Sequence, residues 1–139
     1  MAVYEGVAGA VYLAPAEGTP TELLGVRRWT LREEADKQET TRMGQGNNWR
    51  SYAPTLRGAT VTIEAYADTS EARWRGNPPV ISAGSLIDVE LYESEAVATL
   101  RYGGRVLVES VEPELATDGI LTLTVQGTVT GPLTYPTLL

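Results

Sequence analysis

Leu121-Thr122-Leu123-Thr124-Val125-Gln126-Gly127-Thr128-Val129 decides the fold class of this chain. Leu121, Leu123 and Val125 alternate with Thr122, Thr124 and Gln126, and the alternation resumes at Val129 after Gly127, where a β-bulge is expected. Side chains that change face at every residue belong to a strand with one apolar and one polar side. The same period recurs upstream. Val61, Ile63 and Ala65 alternate with Thr60, Thr62, Glu64 and Tyr66, and Ile87, Val89 and Leu91 with Asp88, Glu90 and Tyr92. Residues 105–112 read as a strand apolar on both faces, through Val106 and Val108 on one and Leu107 and Val111 on the other. Residues 9–13 and 24–31 add two more, joined by a loop with Pro and Gly, and Trp29 and Leu31 point inward together.

Gly103-Gly104, Asp118-Gly119 and Gly84 read as turns, because glycine accepts the positive φ that tight hairpins need. Only residues 68–75 look helical, with Asp68, Thr69 or Ser70 as N-cap and Gly76-Asn77-Pro78-Pro79 as a stop, at most about two turns. Trp74 on that helix is expected to cover the sheet. The expected fold is therefore all-β with one short helix, a β-sandwich or barrel-like single domain over 1–139. Its core is expected to hold Trp29, Leu31, Val61, Ile63, Trp74, Val89, Leu91, Leu121, Leu123 and Val125.

Residues 33–53 break the pattern. They are polar, lack an apolar face, and read as a long loop, which in a small domain is usually functional. Its tip, Met43-Gly44-Gln45-Gly46-Asn47-Asn48-Trp49, joins small polar residues to two apolar ones, and an exposed Trp buries a large area at low entropic cost. The acids Glu33, Glu34, Asp36 and Glu39 lack the spacing and central Gly of a calcium loop, so solvated charge is the reading there.

Composition excludes whole classes of chemistry. The chain has neither His nor Cys, which removes Ser-His-Asp and Cys-His catalysis, disulfides and ordinary zinc sites. No enzyme, metal or cofactor is expected. A small β enzyme working with two carboxylates would need a pair that nothing in the sequence singles out. With 18 acidic and 11 basic residues the net charge is −7, which opposes specific binding of a polyanion. The start of the chain lacks the basic and long apolar regions of a secretory signal, and no apolar run reaches the length of a membrane span. A product made and kept in the cytosol is expected.

The order of these features resembles the tail tube (major tail) proteins of long non-contractile-tailed bacteriophages. The resemblance runs through residues 6–11 and Val26-Arg27-Arg28-Trp29-Thr30-Leu31, then the acidic, Thr-containing stretch 33–41. It continues through Tyr52, Leu56-Arg57-Gly58, residues 60–65 and Asp68. Gly84, Val89-Glu90-Leu91-Tyr92, Arg101-Tyr102-Gly103-Gly104, residues 106–110, Asp118-Gly119 and residues 127–131 complete it, the aromatic-Gly-Gly turn being the most telling. The helix is shorter than the family's.

The resemblance implies a subunit that forms hexameric rings, stacked into a tube around a continuous inner β-barrel through which DNA passes without specific binding. Its partners would be copies of itself, a tape-measure protein inside and completion proteins at the ends, in a virion tail assembled in the host cytoplasm. The loop would tie rings or subunits together, with Asp36, Thr40, Thr41, Met43, Asn47, Asn48, Trp49 and Tyr52 as its contact residues. The polar strand faces nominate Glu64, Asp88 and Glu90 as lumen-facing. Arg27, Arg28, Arg101 and Arg105 are open either to ion pairing with a neighbouring subunit or to plain solvent exposure. Two alternatives stay beside this reading: a monomeric ligand-binding β-barrel, and the inner tube protein of a contractile injection or secretion system.

Overall fold

Alternating sequence becomes strand throughout a computed structural model that describes residues 9–15, 18–41, 49–68, 70–94, 97 and 99–137. In chain order the strands are β1 (Ala10–Pro15), β2 (Thr21–Glu22), β3 (Val26–Glu39), β4 (Tyr52–Tyr66), β5 (Leu86–Tyr92), β6 (Arg101–Leu115) and β7 (Leu121–Thr134). They form one seven-stranded sheet in the order β2-β1-β5-β6-β7-β4-β3. Every neighbouring pair is antiparallel.

The period-two pattern explains which face is inside. Val11 and Leu13 of β1, Val61 and Ile63 of β4, Ile87, Val89 and Leu91 of β5, Val106 and Val108 of β6 and Val125 of β7 meet in a single buried cluster. Two residues outside the strands, Leu23 and Ile81, plug it. Residues so far apart across the sheet can touch only because the sheet curls, bringing β1 against β3. It does not close: β2 and β3 remain its two edges, and the result is sandwich-like. Of the ten residues expected in the core, Val61, Ile63, Val89, Leu91, Leu123 and Val125 are buried. Trp29, Leu31 and Trp74 pack against the cluster half-buried, and Leu121 is half-buried beside it.

Three local expectations are corrected. Gly103-Gly104 is no turn, because both residues lie within β6 opposite Glu90 and Val89. Close packing accounts for Gly104, where a Cβ would stand 3.2 Å from Val129 Cγ1 and 3.5 Å from Leu133 Cδ1. Gly127 likewise stays in register with Val61 and Val108. The bulge falls across from it, between Val108 and Ser110, which leaves Glu109 as the extra residue.

Of the two-turn helix expected over 68–75, one 3-10 turn exists, Ala72–Trp74. Its N-cap is Glu71, whose carboxylate accepts from the Arg73 N–H, while Asp68 Oδ1 accepts from Ser70 N at 2.8 Å. Glu71 and Arg75 are both extended, so the helical stretch is too short to repay nucleation.

Candidate assembly surfaces

The expected loop at 33–53 is, for most of its length, a two-stranded arm. β3 continues to Glu39 and pairs with β4 down to Glu39 opposite Tyr52, and Thr40 N donates to Ser51 O at 2.7 Å. Because β4 reaches β7 only from Thr60 onward, the stretch from Tyr52 to Ala59 has β3 as its sole strand partner and projects past the sheet. Both faces of such an arm meet water, which is why it shows no apolar stripe. Asp36, Thr40, Thr41 and Tyr52 are exposed along it. Lys37 Nζ lies 4.5 Å from the centre of the Tyr52 ring, and Thr41 Oγ1 accepts from Ser51 N at 2.8 Å. Trp49 is 80% exposed. Met43, Asn47 and Asn48 lie outside the described residues.

The two sheet edges differ in kind. β3 offers fourteen residues of backbone with β4 on one side only. An edge that long is a template for another strand. β2 offers two residues, and their carbonyls are occupied. Arg73 Nη1 donates to Thr21 O at 3.0 Å and to Leu13 O at 2.6 Å, and Nη2 donates to Glu22 O. The guanidinium is held in turn by Glu71, with Nε to Oε1 and Nη2 to Oε2 both at 2.8 Å.

Glu71 is 5% exposed and also accepts from Leu24 N at 3.1 Å. Its hydrogen bond with Arg73 is the main reason its pKa falls from 4.5 to about 2, against an opposing push from burial. Sequence reasoning missed this knot. Its signal, an acid and a base two residues apart, is too common to read.

The polar face of the sheet carries Glu64, Asp88 and Glu90, and each is matched to an arginine of this same chain. Arg28 pairs with Glu64, Arg105 Nε stands 3.0 Å from Asp88 Oδ1, and Arg101 Nε stands 3.2 Å from Glu90 Oε2. Arg27 lies 5.1 Å from the centre of the Tyr66 ring. Three of the arginines left open to intersubunit pairing are therefore paired within the subunit. Threonines fill the space between: Thr60 opposite Thr128, Thr62 opposite Gln126 and Thr30, and Thr124 opposite Glu64. Around the Arg101 and Arg105 pairs the face dips into an open groove of about 510 Å³ whose lining includes Gly103, Gly104 and Pro132. Around these three pairs the face is polar and charge-balanced.

Among the described residues, the space at the centre of the core, between Leu31, Val61, Val106 and Val129, is about 10 Å³. That is on the scale of a single water, against roughly 300–1,000 Å³ for a small-molecule site.

No protein family profile and no curated protein matches the sequence. Solved structures do match in fold. A chain in the tail of the empty gene transfer agent particle, determined with C6 symmetry, is 14% identical and superposes with a TM-score of 0.75 over 96% of this chain and 98% of that one. A chain of the native gene transfer agent virion is 13% identical, with a TM-score of 0.73 over 96% and 98%. The SPP1 tail tube subunit is 13% identical, with a TM-score of 0.70 over 97% of this chain and 80% of that one. A chain of the anti-feeding prophage baseplate is more distant, 10% identical with a TM-score of 0.53 over 94% of each. The curled antiparallel sheet described above is thus the fold found in these phage-type tails and tail tubes.

Proposed function

We propose that this chain is the tail tube subunit of a long non-contractile phage-type tail, a virion structural protein that acts as one domain. It builds hexameric rings that stack into a conduit for the genome. The observation that carries the reading is the near end-to-end fold match to a chain of a C6-symmetric tail. The surfaces suit the role. The long β3 edge is available to a neighbouring subunit, while Arg73 caps the short β2 edge, so pairing is directed to one side of the sheet and open-ended growth through both edges is opposed. The projecting arm is the element available to the next ring, with Asp36, Thr40, Thr41, Met43, Asn47, Asn48, Trp49 and Tyr52 as its contact residues.

The face bearing Glu64, Asp88 and Glu90 is assigned to the lumen. Its acids are balanced by arginines and interleaved with threonines, so DNA would meet neither a cationic surface that binds phosphate nor a strongly repelling one. The partners are other copies of the chain, a tape-measure protein within and completion proteins at the ends. The tube of a contractile injection system is the second reading, favoured by the weaker match to the anti-feeding prophage baseplate.

Negative-stain electron microscopy of the concentrated protein, beside light scattering, tests the proposal. Rings or hollow tubes are expected. A chain that stays a 15.0 kDa monomer at every concentration, even with tail-tip initiator added, would refute it.

A further inference from the structure

The sheet forks at Thr60. Up to that residue β4 pairs with β7, and Thr60 opposite Thr128 is the last pair. Beyond it β4 runs on with β3 as the arm, while β7 runs on with β6 as far as Thr134 opposite Gly103. An open cleft of about 470 Å³ lies at the crotch, lined by Leu56, Arg57 and Gly58 of the arm and by Thr60 and Thr128 at its root. A two-stranded ribbon twists more than a full sheet and is only marginally stable by itself. The polar contacts along the arm join its strands to each other: Thr41 to Ser51, Glu39 with Arg50 and Lys37 on Tyr52. They do not set its angle to the sheet.

Tyr135 crosses the fork. It follows β7 directly, and its hydroxyl donates to Glu33 of β3, 102 residues away along the chain. Glu33 stands opposite Ala59, the first pair of the arm past its root. Edge-on aromatic contacts support the crossing. The Tyr135 ring centre is 6.4 Å from that of Tyr102 on β6, which is in turn 6.0 Å from that of Trp29 on β3. Alternation places Trp29, Leu31 and Glu33 on one face of β3, so this run of rings leaves the strand at Trp29 and returns to it at Glu33. Thr137 N donates to Thr99 O at 2.9 Å and holds the segment after Tyr135 to the residues just ahead of β6. Tyr135 is 45% exposed, so water competes for its hydroxyl and the contact can open and close.

We infer that Tyr135 is a latch for the arm. Bonded to Glu33, it holds the arm at one angle to the sheet; released, it lets the arm swing about the fork. Tyr135 is thus a positioning residue, acting through Glu33 to present the arm already oriented, so that association does not have to order it. The inference rests on the tube reading only for what the arm reaches.

The chain has no Cys. Gln38→Cys on the arm and Glu112→Cys on β6, both at exposed positions, therefore give two unique spin-label sites in the full-length protein. Double electron–electron resonance on the dilute subunit reads the distance between them, and thermal melts establish that each variant folds. One narrow distance is expected in this labelled parent. Tyr135→Phe keeps the ring and removes the donor, and Glu33→Ala removes the acceptor. Each should raise the population outside the main peak by about two- to tenfold, the scale of one hydrogen bond. The two changes combined should do no more than either alone, because both remove the same contact. Glu33→Gln keeps an acceptor and should keep the narrow peak, which a purely packing role for the Tyr135 ring does not predict. A broad distribution in the parent, or the same narrow peak in every variant, would overturn the latch. Electron microscopy of the unlabelled chains reads tubes separately. A latched arm in chains that never form tubes removes the tube reading alone, and tubes from chains whose arm distance ignores all these changes remove the latch alone.

Discussion

Removing the Glu71 charge should cost this protein stability in a defined pH window. The Glu71 carboxyl has a pKa of about 2 in the folded chain against 4.5 in the unfolded one, because Arg73 and two backbone N–H groups hold its ionised form. A depressed pKa stabilises the folded state fully above the unfolded value, and the contribution disappears as pH falls from about 4.5 towards 2. At 1.36 kcal/mol per pKa unit, the depression corresponds to about 3 kcal/mol. Both partners are largely buried, with side-chain exposures of 5% for Glu71 and 15% for Arg73, so solvent screening removes little of it.

Urea titrations at intervals from pH 7 to pH 2, on wild type and Glu71→Gln, isolate this group from the other carboxylates. The variant should be less stable by about 3 kcal/mol at pH 7, and the gap should shrink towards zero at pH 2. A gap that stays constant across the range would show that the Glu71 carboxyl titrates alike in the folded and unfolded chains and would sink the argument. Arg73→Ala should be worse at neutral pH, by about 3–5 kcal/mol, because it leaves a buried carboxylate unpaired. It also frees the β2 carbonyls, so disordered aggregation should accompany it.

Gly127→Ala should destabilise by about 1–3 kcal/mol in a urea melt, since the added Cβ would lie 2.7 Å from the Leu107 carbonyl oxygen. Ile87→Ala, in the core at 1% exposure, should cost about 2–5 kcal/mol. Leu115→Ala, at 69% exposure, should stay within about 0.5 kcal/mol for the isolated subunit, so that any loss of tubes it causes is a loss of contact and not of folding. The Tyr135 hydroxyl donates to Glu33, which raises its pKa above the usual 10.0. Glu33→Gln should bring the Tyr135 titration back down, read by NMR, and an unchanged midpoint would show that the hydroxyl has no such partner in solution.

Where a strand has one dry face and one wet face, its residue types had to alternate, and β4, β5 and β7 are legible in the sequence for that reason. The same logic assigned Glu64, Asp88 and Glu90 to the polar side. It failed where the dry and wet faces do not differ. The arm between Arg32 and Gly58 is solvated on both sides, so its strands look like loop. Gly103-Gly104 looks like a turn because a glycine favoured by close packing, as Gly104 is, is identical in sequence to one demanded by positive φ.

Sequence by itself determined the fold class, the face each strand presents to the core, and the absence of His and Cys chemistry, all of which depend on residue identity and local period alone. Tertiary structure alone decided the rest. The pairing of Glu64, Asp88 and Glu90 with Arg28, Arg105 and Arg101 and the sealing of one sheet edge by Arg73 each join residues distant along the chain. Such long-range partners follow from strand order and curl, which the alternation of a single strand does not encode.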